Sequence, residues 1–225
     1  MNAAILETQS VTKVYGEDAN RVVALNDATL ALHPGHVLLI MGPSGSGKTT
    51  LLSVMGCILR PTSGRVIVAG KVATDLGEDA LPDLRRHYFG FVFQAFNLFG
   101  SLTAQENIEV VLRMKGVAKD IIAKQSMELL QHVGLTHRAH AYPRDMSGGE
   151  KQRTALARAL AGEPAIVLAD EPTANLDSKT GHEVLALLRN LAEETNKAVA
   201  IVSHDPKAKD VADRVITMED GRLMT

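Results

Sequence analysis

At 225 residues, 45% hydrophobic and 22% charged, the chain has the makeup of a soluble globular protein with room for one large domain. No apolar run approaches the roughly 18 residues that cross a bilayer, and no signal-peptide core opens the chain, so a cytoplasmic location is expected. A net charge of −2 with scattered basic residues leaves no electrostatic footprint for nucleic acid, and the single cysteine excludes an internal disulfide.

Residues 5–33 read as extended segments with turns. The first ends at Lys13-Val14-Tyr15-Gly16, and segments 22–25 and 28–32 are separated by Asn26-Asp27. Val37-Leu38-Leu39-Ile40-Met41 is a short apolar run of the kind that forms a buried parallel strand. It runs into Gly42-Pro43-Ser44-Gly45-Ser46-Gly47-Lys48-Thr49, which fits G-x-x-x-x-G-K-[ST], and then into a helix from Thr50 to Met55. Strand, glycine loop, helix is the context that makes this pattern a phosphate-binding site. The glycines let the backbone curl its N–H groups toward phosphate oxygens, and the helix start adds about half a positive charge. Residues Gly42 to Thr50 are therefore expected to bind nucleotide, with Lys48 reaching the β- and γ-phosphates and the Thr49 hydroxyl on Mg²⁺. Cys57 lies in the apolar helix expected after this loop and reads as a small core residue.

Residues 66–70 form another strand, entered through Pro61-Thr62-Ser63-Gly64, so a small antiparallel layer is expected beside a parallel sheet. The aromatic strand 89–94 ends on Gln94, and 95–102 is apolar but irregular. Thr103 with Glu106 makes a capping-box pattern opening a helix to Gly116; a second helix spans 118–133 and stops at Gly134. A third opens at Ser147. This block, 97–160, reads as an inserted helical subdomain in an α/β core formed by 1–96 and 161–225.

Ser147-Gly148-Gly149-Glu150 carries a capping box; alone it is a well-started helix, while its two glycines would let an anion approach the N–H groups. The buried strand 165–169 runs into Asp170-Glu171. A carboxylate there, beside a glycine loop, suits Mg²⁺, directly or through water, and Glu171 is placed to orient or deprotonate an attacking water. A helix over 180–194, a buried strand over 198–202 ahead of His204 and a hairpin over 215–224 complete the pattern, and no regulatory extension is expected.

In this order and spacing, the glycine loop at 42–49, Gln94, Ser-Gly-Gly-Glu at 147–150, the acidic strand end at 166–171 and His204 resemble the ATP-binding subunits of ABC transporters over nearly the whole chain. The resemblance implies a RecA-like P-loop NTPase core with an antiparallel β layer and an inserted helical subdomain, binding ATP and Mg²⁺ and hydrolysing ATP. It implies that Tyr15 stacks on adenine, that Gln94 touches Mg²⁺ or the attacking water, and that His204 contacts the γ-phosphate. Ser147 and Gly149, with Gly148 and Glu150 beside them, match signature residues that grip ATP held by a second copy. Asn175-Leu176-Asp177 matches the loop that crosses the dimer interface. Met146, Lys151 and Ala174 depart from the commoner Leu, Gln and Gly, at positions that contact no phosphate.

The stretch Gly-Phe-Val-Phe-Gln-Ala-Phe-Asn-Leu at 90–98 and Glu150 look most like the LolD/MacB/FtsE group; 93–103 is also similar to ATPases of cyanobacterial glycolipid exporters. This implies a homodimer on the cytoplasmic face of the inner membrane, under a permease that connects to a periplasmic adaptor and an outer-membrane duct. Phe96, Leu98 and Phe99 either dock that permease or pack inside the helical block. Export or extraction of lipids, lipoproteins or other substrates is the favoured reading. A cargo-free signalling ATPase and a small-solute transporter are the alternatives. A nucleic-acid or ribosome ATPase would carry paired cassettes, coiled coils or basic arms, none of which the sequence contains.

Overall fold

The computed structural model describes residues 3–224. Its antiparallel sheet contains β1 (Leu6–Tyr15), β2 (Val22–Leu32), β4 (Ser63–Val68) and β5 (Lys71–Val72) in the order β2-β1-β4-β5. The second sheet has the order β10-β9-β3-β8-β7-β6. Its strands are β3 (Val37–Met41), β6 (Phe89–Val92), β7 (Ile166–Asp170), β8 (Ala198–Val202), β9 (Arg214–Glu219) and β10 (Arg222–Met224). All pairings in it are parallel except that of β10 with β9.

The helices divide between two cores. In β3, Leu38 and Ile40 face one core while Val37 and Leu39 face the other, the period-two consequence of a strand covered on both sides. The first core holds α1 (Lys48–Met55) between the two sheets, through Leu51, Leu52, Val54 and Met55. The second packs α3 (Ala104–Met114), α4 (Lys119–His132), α5 (Gly148–Leu160) and α6 (Ser178–Thr195) on the opposite face of the parallel sheet. Among the described residues no helix is long and apolar enough to cross a membrane.

Three local expectations are corrected. β2 runs unbroken through Asn26-Asp27, because Asp27 takes a left-handed φ of 56° and its N–H donates to the Thr12 hydroxyl of β1, so the strand absorbs a bulge. Helix α2 (Leu81–Tyr88), which buries only Leu81 and Leu84 fully, was not foreseen. Cys57 stands beyond α1, in a left-handed turn, rather than within the helix; it is nonetheless buried, which pushes its thiol up to about 11 and keeps it unreactive. Both capping boxes form as expected, at Thr103–Glu106 and Ser147–Glu150. Helix α6 starts two residues before 180 because Asp177 caps it.

Candidate active site

The glycine loop leaves β3 at its C-terminal end and enters α1, the position where open parallel sheets bind ligands. Gly47 is the N-cap residue with φ 101°; a Cβ there would fall 2.2 Å from the Ala24 carbonyl oxygen, so only glycine fits. Gly42 is held as closely against the carbonyl of Met218 in β9, and the Gly221 N–H donates to the Ser46 carbonyl at 3.0 Å. The β9–β10 hairpin thus braces the loop from behind. The α1 start has no side-chain cap and no acid in its first turn, which leaves its N–H groups to an anion. Lys48 is buried and its ammonium donates to the Gly42 and Pro43 carbonyls at 2.9 and 2.8 Å, spanning the loop it belongs to.

Pro43, Ser44, Gly45, Gly47, Lys48, Thr49 and Thr50 line one wall of a cleft of about 850 Å³, and Gln94, Glu171 and His204 reach it from other elements. Val22, Val23, Ala24, Asp220 and Gly221 close the rest; nothing in their local sequence pointed to this. Ser46 turns its hydroxyl into a buried position without a hydrogen-bond partner.

Opposite the loop, β7 ends at Asp170, whose carboxylate accepts a hydrogen bond from the Thr49 hydroxyl at 3.1 Å. Burial raises the Asp170 carboxyl above its ordinary value, aided by the Glu171 charge and opposed by the Thr49 bond and the Lys48 charge. Glu171 turns the chain with a left-handed φ of 46°, its N–H donating to the Val202 carbonyl of β8. That turn aims its carboxylate at His204, whose Nδ1 lies 2.9 Å from both carboxylate oxygens. The Ser203 hydroxyl donates to the same carboxylate at 3.5 Å; this residue was missed in the sequence, where a buried serine after a strand carries no signal.

Thr49 and Asp170 supply oxygen donors side by side, the chemistry of a hard cation. Among the described residues no group of three or more His, Cys, Asp or Glu could cage a metal. Two oxygen donors beside a phosphate-binding loop fit Mg²⁺, which retains water and phosphate ligands.

The remaining sequence candidates lie outside the cleft lining. Tyr15 is 42% exposed at the end of β1, paired with Val22, with the Lys13 ammonium over its ring. Ser147 and Glu150 exchange hydrogen bonds in their capping box, and Arg138 pairs with Glu150 at 2.9 Å. Burial pushes the Glu150 carboxyl up, but the Ser147 hydrogen bonds and the Arg138 charge outweigh it and hold the group below its ordinary value. Gly148 lies against the Asn175 carbonyl in the loop before α6 and Gly149 against α6 itself, where a Cβ would fall 2.3 Å from Thr180 Cγ2. The Asp177 carboxylate is spent capping α6, accepting from the Lys179 and Thr180 N–H groups and the Thr180 hydroxyl. Asn175 donates to the Gln94 carbonyl at 2.9 Å, joining the loop after β7 to the loop after β6.

A glycine loop before a bare helix start, facing a strand-end carboxylate across a parallel sheet, defines a P-loop nucleotide-binding core. Residues 25–174 match the family described as ABC transporter. The chain is 42% identical over 219 residues to an uncharacterized ABC transporter ATP-binding protein of Thermotoga maritima, covering 97% of this chain and 93% of that protein. It is 40% identical over 222 residues to the macrolide export ATP-binding/permease protein MacB of Photorhabdus laumondii, covering 99% of this chain but 34% of that protein. The chain thus spans about a third of the length of the MacB relatives it matches. Among solved structures, the dimeric post-hydrolysis state of the ATP-binding cassette MJ0796 bound to ADP and Pi superposes with a TM-score of 0.91 at 41% identity, covering 98% and 97% of the two chains. The chain belongs to the ABC transporter family, as an ATP-binding cassette ATPase.

Proposed function

We propose that this chain powers a membrane ABC complex of the MacB/LolD type, exporting or extracting lipids, lipoproteins or other substrates through ATP-driven head-to-tail pairing of two copies. The observation that carries the reading is the division of the site: the glycine loop, Gln94, Glu171 and His204 share one cleft, while the start of α5 lies outside it. A second copy supplying its Ser147 to Glu150 segment would close the cleft over the γ-phosphate. The dimeric MJ0796 cassette, a relative at 41% identity, supports that pairing.

In this reading Lys48 leaves its two loop carbonyls for the β- and γ-phosphates, while the α1 N–H groups and the loop backbone hold the phosphate oxygens. Thr49 and Asp170, with Gln94 in the same cleft, would hold Mg²⁺, which would neutralise charge developing on the phosphate oxygens. Glu171 accepts the proton of the attacking water, and His204, released from Glu171, contacts the γ-phosphate. Tyr15 stacks on the adenine, and Asp177 sits at the dimer seam. The permease docks against the helical block of 97–160 from the membrane side, bringing the chain to the cytoplasmic face of the inner membrane; a periplasmic adaptor and an outer-membrane duct extend the path.

The test is the Glu171→Gln chain with ATP and Mg²⁺. It is expected to bind ATP, elute as a dimer and lose turnover by about 10²- to 10⁴-fold, the range for a missing general base. Undiminished hydrolysis overturns the role of Glu171. Gentle detergent capture of the same variant is expected to bring down a four-helix membrane subunit with a large extracytoplasmic domain; a many-helix permease would reject the MacB/LolD assignment.

A further inference from the structure

The loop carrying Gln94 is bent in a way its sequence does not favour. Phe96 and Asn97 are consecutive non-glycine residues with left-handed φ values of 62° and 50°, a costly conformation for a phenylalanine. The bend turns both their carbonyls toward α5, where the Arg158 guanidinium donates to the Phe96 carbonyl at 2.9 Å and also to the Asn97 carbonyl. Arg158 is only 8% exposed. Among the described residues no carboxylate forms an ion pair with it, so a buried cation is satisfied through loop carbonyls. From the other side, Asn175 holds the Gln94 carbonyl.

We propose that Arg158 is a positioning residue for Gln94, tying the bent loop 94–97 to the helix that begins at Ser147. The planar guanidinium suits this task because its fork reaches two carbonyls at once. Helix α5 runs unbroken from its capped start to Arg158, so a shift of that start as a second copy engages is carried to the loop and moves Gln94 in the cleft. The proposal rests on the role given to Gln94 above and adds the lever that sets its position. A purely structural Arg158, complementing the C-terminal end of the α5 dipole, would stabilise the helix without acting through Gln94.

The experiment is a double-mutant cycle on steady-state ATP hydrolysis by the full chain, with Arg158→Met, Gln94→Ala and the combination. Each single variant is expected to lower kcat on the order of tenfold with KM for ATP changed by less than about twofold, and the double variant to lose no more than Gln94→Ala alone. Multiplying losses overturn the proposal, since Arg158 would then act by another route. A silent Gln94→Ala removes the role of Gln94, and the lever with it. Amide hydrogen exchange reports the tether separately: Arg158→Met is expected to speed exchange at Phe96 and Asn97 while β6 stays protected, with Arg158→Lys intermediate. Unchanged exchange at those two amides rejects the tether whatever the kinetics show.

Discussion

Two helix starts in this molecule, those of α1 and α5, solve the same physical problem in opposite ways. Each must satisfy N–H groups that have no partner within the helix. At α1 the N-cap is a glycine, no side chain caps it and no acid occupies the first turn, so the positive end faces an open cleft. At α5, Ser147 and Glu150 fill the cap from within, Arg138 holds Glu150, and Gly149 lies against the start of α6. The first start depends on an anion to complete it and is built from residues that bring none. The second is complete in the isolated chain, capped from within and with Gly149 buried. One chain therefore carries one helix start left open to the cleft and one already satisfied from within.

Substitutions at these two starts should separate their duties. Gly47→Ala has the largest expected effect: the Cβ meets the Ala24 carbonyl at 2.2 Å and φ stays at 101°. A cost of about 2 kcal/mol or more would lower Tm by roughly 4–8 °C, and calorimetry is expected to find no ATP binding. Gly149→Ala, whose Cβ would meet Thr180 Cγ2 at 2.3 Å, should act at the other start. It is expected to spare ATP binding by a single chain while abolishing the ATP-dependent dimer of the Glu171→Gln background, read by light scattering. Loss of ATP binding in that variant would erase the distinction between the starts.

Ser147→Ala removes one cap hydrogen bond and should cost about 1 kcal/mol, or roughly 2–4 °C in Tm, with ATP binding by the single chain unchanged. The smallest effect is pH-dependent. Glu150 has a folded value below its ordinary 4.5, so its contribution is complete above that value and drains away as pH falls through the folded value. The Tm difference between the wild-type and Glu150→Gln chains is therefore expected in full at pH 6 and to shrink as the pH falls below 4.5. A gap that does not shrink at all on acidification would mean that the carboxylate charge is not what stabilises the α5 start.

Much of this arrangement is written in local patterns. The unbroken apolar runs of β3, β7 and β8, the caps at Thr103 and Ser147, and the glycine loop each depend on residues within a few positions of one another, and they form where their patterns stand. Helix α2 escaped because an eight-residue helix with two buried leucines offers too little periodicity to read. Cys57 was misplaced because nothing apolar distinguishes the last turn of α1 from the turn that follows.

Local sequence supplies the chemical groups and the elements that carry them: Lys48 and Thr49 at the head of a helix, Asp170 and Glu171 at the end of a strand, His204 after another. Tertiary structure alone decided which of them meet. Glu171 and His204 are 33 residues apart, yet face each other because β7 and β8 pair in parallel with Asp170 opposite Val202. Arg158 and Phe96, 62 residues apart, meet because α5 packs against β6. Strand order and helix packing follow from the mutual burial of whole faces, a property of the assembled sheet that no short stretch contains.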